Sequence, residues 1–181
     1  QVSDFNHLDL LHYQGLGSLE EFLDQNVQED SVVVDLGAGV GGSSRFIAAK
    51  YNCQVTAIEL QENLLRVGKA LNLFQSLHQK ISYQKGDITK LSEQENVKYH
   101  SQFDVAISQL VFLHIRNKKE LFTSIYSVLK DGGKLYVEDF FRFDGEEFGE
   151  QEYDVLEEDI SVPKDTLMTK SEYISMVESC G

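Results

Sequence analysis

Between positions 31 and 140 the chain alternates five times between a short apolar run and a stretch with helical spacing. The runs are SVVVDLG (31–37), CQVTAIEL (53–60), KISYQKGD (80–87), FDVAISQ (103–109) and KLYVEDF (134–140). Short β-branched runs bounded by glycine or polar residues read as buried strands. Among the intervening stretches, 43–51 reads as a helix with Phe46 and Ile47 inward. The stretch 62–77 carries Leu64, Leu65, Leu71 and Phe74 at helical spacing. A helix over 118–130 is expected to stop at Asp131-Gly132-Gly133. Another, about 18–26, precedes the first strand with Ser18 as its cap. This alternation predicts an α/β fold, a doubly wound parallel sheet with helices on both faces. Ligands of such sheets bind outside the carboxyl ends of the strands, where the strand order reverses. Chemistry is therefore expected in the loops after strands one to four.

Composition narrows the function. With 181 residues, 41% hydrophobic and 25% charged, the chain suits one globular domain and neither a disordered tail nor a membrane protein. No apolar run approaches the roughly 20 residues of a spanning helix. The opening QVSDFNHLDLLHY has neither the basic nor the apolar segment of a signal peptide. A net charge of -14 without a basic stripe argues against nucleic acid as a partner. Cys53 and Cys180 have no metal-type spacing, so no metal site is expected, and a reducing, cytoplasmic setting is. Much of the negative charge is local: Asp139 to Asp159 holds ten acids against the single Arg142. That segment reads either as a solvated acidic loop or as a mouth that attracts a cationic substrate.

The most informative motif is Asp35-Leu36-Gly37-Ala38-Gly39-Val40-Gly41-Gly42. Its glycines also satisfy G-x-G-x-x-G, a weak pattern alone. They let the chain turn sharply and let backbone approach a ligand without a Cβ in the way. Asp35 discriminates. A carboxylate two positions before the first glycine would repel a pyrophosphate and suits a ligand with an ammonium or sulfonium group.

VVDLGAGVGG resembles the first motif of the class I S-adenosylmethionine-dependent methyltransferases, an acid followed by a glycine-rich turn. The resemblance implies a Rossmann-like sheet with Asp35, Gly37, Ala38 and Gly39 around S-adenosyl-L-methionine. It further implies that Glu59, with Leu60 beside it, holds the ribose hydroxyls about 20 residues past the turn. Asp87 would sit near the adenine amine with Ile88 against the ring, although Asp87 also reads as the cap of a following turn. SQLVFLHI (108–115) with KDGGKLYVEDF is similar to the later landmarks of small-molecule methyltransferases. Gln109 would line the cofactor, His114 would point toward the acceptor, and Tyr13 would close over the methionine end. SSRFIAAKYNCQV and SQLVFLHI look most like the phosphoethanolamine and glycine-sarcosine-dimethylglycine N-methyltransferases. In the phosphobase enzymes an aspartate stands four residues before the histidine, where this chain has Leu110.

The function implied is methyl transfer to a small molecule, an amine first. His114 would serve as base, because histidine titrates in the right range and a protonated amine must lose a proton to react. A histidine packed under the next helix is the structural alternative. A carbon or oxygen acceptor such as a quinone, sterol or other lipid-like molecule, and a catalytically silent S-adenosylmethionine-binding module, also remain open; Asp35 disfavours a nicotinamide dehydrogenase. Signatures of DNA amino methylation, thiol-based arsenic methylation, magnesium-dependent catechol methylation and a serine nucleophile are absent from the sequence. The expected layout is one domain, with 1–30 as N-terminal cap helices, 31–140 as cofactor core and 141–181 as an acidic, substrate-side segment with a helix. The antiparallel hairpin that ends the family's sheet has no counterpart, so the chain reads as an excerpt of a longer protein with further domains in the same polypeptide.

Overall fold

The computed structural model describes residues 16–93 and 99–181. The element order is α1 (Gly17–Asn26), β1 (Val32–Leu36), α2 (Gly42–Tyr51), β2 (Gln54–Glu59), α3 (Glu62–Phe74), β3 (Ile81–Lys85), β4 (Phe103–Gln109), α4 (Lys118–Val128), β5 (Leu129–Glu138), α5 (Glu150–Ile160) and α6 (Lys170–Glu178). Single 3-10 turns follow β3 (Ile88–Lys90) and β4 (Phe112–His114). All pairings are parallel, in the order β3-β2-β1-β4-β5. The chain winds outward from β1 through β2 to β3, then crosses back to β4 and β5. The reversal lies between β1 and β4.

Strand periodicity explains the two cores. Val33 and Val34, neighbours in β1, face opposite sides of the sheet. Val33 joins Leu19, Leu23, Ile47, Val55 and Leu65 beneath α1, α2 and α3. Val34 joins Ile58, Ala106, Phe112, Leu121, Ile125 and Tyr173 beneath α4 and α6. The register Val33↔Val55 and Val33↔Val105 keeps β-branched side chains aligned across the central strands.

Several local expectations are corrected. Helix α1 starts at Gly17, its cap position is Leu16, and Ser18 instead shares a 2.8 Å hydrogen bond with the Tyr136 hydroxyl. Phe74 is not inward but 83% exposed. The buried stripe of α3 runs Leu65, Gly68, Asn72, and the nine positions from Leu65, at about 100° each, carry Phe74 to the opposite side. Helix α4 ends at Val128, and β5 begins at Leu129 rather than 134. Phe103 pairs with Leu129 whereas Val105 pairs with Lys134, so Asp131-Gly132-Gly133 forms an irregularity within the strand, not a helix stop. Gly132, at φ +76°, supplies its left-handed residue, and Lys130 is held there by Asp104 at 2.8 Å. The acidic segment is not all loop, because α5 occupies about half of it, with no buried residue. Tyr13 and the first part of the expected N-terminal cap lie outside the described residues. Among the described residues no helix is long and apolar enough to cross a membrane.

Candidate active site

The glycine-rich turn leaves β1 at Gly37 and enters α2 at Gly42. Gly37, Gly39 and Gly41 all have φ between +55° and +79°. At Gly41 a Cβ would collide with the Tyr83 hydroxyl, and at Gly37 it would strike Val111 at 2.5 Å. Glycine is required there for space as well as for torsion. The buried Arg45 guanidinium braces the turn by donating to the Val40 carbonyl at 2.6 Å.

Asp35 is buried at the end of β1 and accepts a 2.6 Å hydrogen bond from Ser44 Oγ. Burial pushes its carboxyl up to about 6; the Ser44 hydrogen bonds and the Arg45 charge oppose the rise, and the Glu59 charge adds to it. Glu59 ends β2. Its Oε2 accepts the Gly39 N–H at 2.9 Å and its Oε1 the Gln61 N–H at 2.8 Å. An ionised carboxylate has about four acceptor positions, so two fixed N–H donors leave room for two hydroxyls. Asp87 caps the turn Ile88–Lys90, its Oδ1 accepting from Thr89 N and Thr89 Oγ1 at 2.9 and 2.8 Å. Ile88 is buried, and Leu60 is exposed.

After β4, Gln109 is tied at both ends of its amide. Its Oε1 accepts from Ser43 Oγ at 2.5 Å, and its Nε2 donates to Glu138 at 3.0 Å. Leu110 follows at φ +55°, turning the chain sharply into the segment that carries His114. His114 is exposed, and its Nδ1 lies 2.9 Å from the Ser161 carbonyl. A carbonyl only accepts, so Nδ1 carries the hydrogen and Nε2 is the basic atom.

These residues meet in one cavity of about 660 Å³ outside the carboxyl ends of the strands. Asp35, Gly37, Ala38, Gly39, Glu59, Leu60, Asp87, Ile88, Gln109 and His114 all line it. A more open cleft of about 750 Å³ beside α6, which includes Arg142 and Lys164, contains none of them. The charged lining of the strand-end cavity is one-sided, with Asp35, Glu59 and Asp87 and neither lysine nor arginine among its described residues.

Sequence reasoning missed Ser43, Gln61, Leu64, Val111, Ile115 and Ser161, which also line the cavity. Ser43 could have been found, since it directly follows the glycine turn. Ser161 had no local signal, because it comes from the far end of α5 and reaches the site only through tertiary packing. Two supporting residues were also missed. Lys118, the first residue of α4, is buried with its Nζ donating to the carbonyls of Phe112 and Ile115. Desolvation pushes its ammonium down to about 8 against the pull of Asp139 and Asp165. Asp139, beyond β5, accepts the Leu113 N–H at 2.9 Å, and burial holds its carboxyl above the ordinary carboxylate range.

Comparison with known proteins identifies the family. A family profile described as "Methyltransferase domain" matches residues 34–137. Phosphoethanolamine N-methyltransferase 3 of Arabidopsis thaliana is 32% identical over 129 residues, covering 71% of this chain and 25% of that protein. Phosphoethanolamine N-methyltransferase of Plasmodium falciparum is 29% identical over 170 residues, covering 92% of this chain and 59% of that one. The solved structure of Haemonchus contortus phosphoethanolamine N-methyltransferase 2, with phosphomonomethylethanolamine and S-adenosylhomocysteine, superposes with a TM-score of 0.77. It is 20% identical and covers 96% of this chain and 39% of that one, a likeness of fold. The chain thus spans between a quarter and three fifths of the length of these curated relatives. With a family match over more than half of its length, a five-stranded parallel sheet and the glycine-rich turn at its reversal point, the chain belongs to the methyltransferase domain family.

Proposed function

We propose that this chain binds S-adenosyl-L-methionine and transfers its methyl group to a small amine. The observation that carries the reading is the one-sided charge of the strand-end cavity. Asp35, Glu59 and Asp87 line it without any lysine or arginine among the described residues. A dinucleotide's pyrophosphate would find repulsion there, whereas a sulfonium and an ammonium are attracted. Bound in the cavity, the cofactor would supply a methyl group made electrophilic by its positive sulfur.

The chain's own residues do the rest. Gly37, Ala38 and Gly39 give the ligand a wall of backbone, and Glu59 offers its remaining lone pairs to the ribose hydroxyls. Asp87 and Ile88 suit the adenine end, one polar and one apolar. Gln109, held by Ser43 and Glu138, presents a fixed amide between cofactor and acceptor. His114 receives the ammonium proton at Nε2, and its Nδ1–H remains on the Ser161 carbonyl. Holding the two reactants in line can lower the barrier by roughly 7–11 kcal/mol without a covalent intermediate.

The amine is favoured by the acidic 139–159 segment, whose helix α5 leads into Ser161 at the cavity rim. The relatives' names point to amines as well. A phosphorylated amine is disfavoured, because neither lysine nor arginine lines the cavity among the described residues and Leu110 stands where the phosphobase enzymes carry an aspartate. The layout we favour is a single methyltransferase domain, 31–140 holding the cofactor and 141–181 covering the acceptor side. The two free thiols, Cys53 and Cys180, suit a reducing compartment such as the cytoplasm. Transfer of labelled methyl to a panel of glycine, sarcosine, dimethylglycine, ethanolamine, phosphoethanolamine, a quinone and a sterol tests the reading. Turnover with an unphosphorylated amine is expected, and turnover with the quinone or sterol alone would overturn the amine assignment.

A further inference from the structure

We infer that Lys118 is a positioning residue for His114, its buried ammonium tying together the two ends of the turn that carries the imidazole. This rests on the reading of His114 as the residue that faces the acceptor.

The turn Phe112–His114 is only three residues long. Its own backbone contributes two hydrogen bonds, His114 N to Val111 O at 3.1 Å and Ile115 N to Phe112 O at 2.9 Å. Hydrogen-bond geometry in a 3-10 turn is poorer than in an α-helix, so contacts from outside help to hold its shape. Three residues supply that help. Lys118 Nζ donates to Phe112 O at 2.7 Å and to Ile115 O, bracketing the turn from within. Asp139 accepts the Leu113 N–H at 2.9 Å from beyond β5. The Ser161 carbonyl takes the Nδ1–H of His114 itself. The backbone on both sides of His114 is thereby held, and its ring is fixed by a third, separate contact.

Lysine is a costly choice at position 118, which is why its role is informative. It is 5% exposed, so its ammonium is taken out of water. It is also the first residue of α4, the helix end where a cation is disfavoured. The helix does not need it for a start, because Asn117 already caps α4 by accepting the Glu120 N–H at 3.2 Å. An apolar side chain would fill the same space without either cost. It could not, however, donate to the Phe112 and Ile115 carbonyls, six and three positions earlier in the chain. An ammonium or guanidinium on a long, flexible stem can.

The test is made on the full-length protein labelled with 15N-histidine, where long-range proton–nitrogen correlations report the tautomer of His114. In the wild type the hydrogen is expected on Nδ1. In Lys118→Met both tautomers are expected, while the affinity for S-adenosylhomocysteine stays near that of the wild type, since the residues proposed to hold it, Gln109 apart, lie at the ends of β1, β2 and β3. Turnover with the amine selected by the panel should fall about 10–100-fold, the scale of a misplaced reacting group. Lys118→Arg, which keeps charge and donors, should restore both readouts to near wild type. If Lys118→Met does not fold, Lys118→Gln, which is polar but one atom too short to bridge both carbonyls, carries the same measurements with the same expectation. A His114 tautomer unchanged by loss of the ammonium would overturn the inference even if turnover fell. A scrambled tautomer supports it even if His114→Ala leaves turnover untouched, a result that would instead remove His114 as the base.

Discussion

Glu59 and Gly39, twenty residues apart, are joined by a 2.9 Å hydrogen bond from the Gly39 N–H to the carboxylate at the end of β2. One side chain therefore shapes the glycine-rich turn and also faces the cavity. Charge-assisted hydrogen bonds of this kind contribute about 1.5–3 kcal/mol each. Glu59→Ala should weaken S-adenosylhomocysteine binding by roughly tenfold or more without unfolding the domain, as read by calorimetry and a thermal melt. Unchanged affinity would move the ribose elsewhere.

Asp35 links pH to stability. Its folded-state carboxyl titrates at about 6, above the ordinary 3.8, chiefly through burial. Its favourable contribution is therefore complete below about pH 4 and is lost as pH rises through 6, a difference of about 3 kcal/mol at most. Asp35→Asn removes that loss. The variant should be more stable than wild type at about pH 7.5, by about 1–3 kcal/mol, and the advantage should vanish near pH 4. It should also bind S-adenosylmethionine more weakly. Thermal melts at the two pH values check this, and equal destabilisation at both would contradict the assignment of burial as the cause.

The two faces of α3 give a test of the packing. Leu65 is 2% exposed and Phe74 83%. Leu65→Ala should cost about 2–5 kcal/mol, whereas Phe74→Ser should stay within about 0.5 kcal/mol. Urea titration of both variants distinguishes this arrangement from one in which Phe74 packs inward.

The fold is legible in the sequence because its signals are local and repeated. The five apolar runs, the helical spacing between them and the glycine turn after Asp35 each point to the same parallel sheet. Ends and faces are less legible. Phe74 satisfies an apolar pattern by eye, yet its angular position puts it in water. Asp131-Gly132-Gly133 reads as a helix stop, although its glycines serve an irregularity of β5 that only the pairing with β4 reveals. In the site, residues on strand ends are readable from spacing. Ser161 is not, since tertiary packing alone brings it to the turn that carries His114, and although Asp139 directly follows β5, its bond to Leu113 is equally a product of packing.

His114→Ala should lower turnover of an amine acceptor by about 10²–10⁴ while S-adenosylhomocysteine affinity stays near wild type. The loss should shrink as pH rises and the amine deprotonates unaided. A loss equal at all pH values would make His114 a structural or substrate-positioning residue.

The central claim is that an acidic cavity at the strand ends, lined by neither lysine nor arginine among the described residues, selects a cofactor that carries an ammonium or sulfonium over one that carries a pyrophosphate. Calorimetric titration of the full-length protein with S-adenosylmethionine, S-adenosylhomocysteine and NAD tests it most directly. Saturable binding of the first two and none of NAD is the expected result. Tight NAD binding with no response to S-adenosylmethionine would contradict the account.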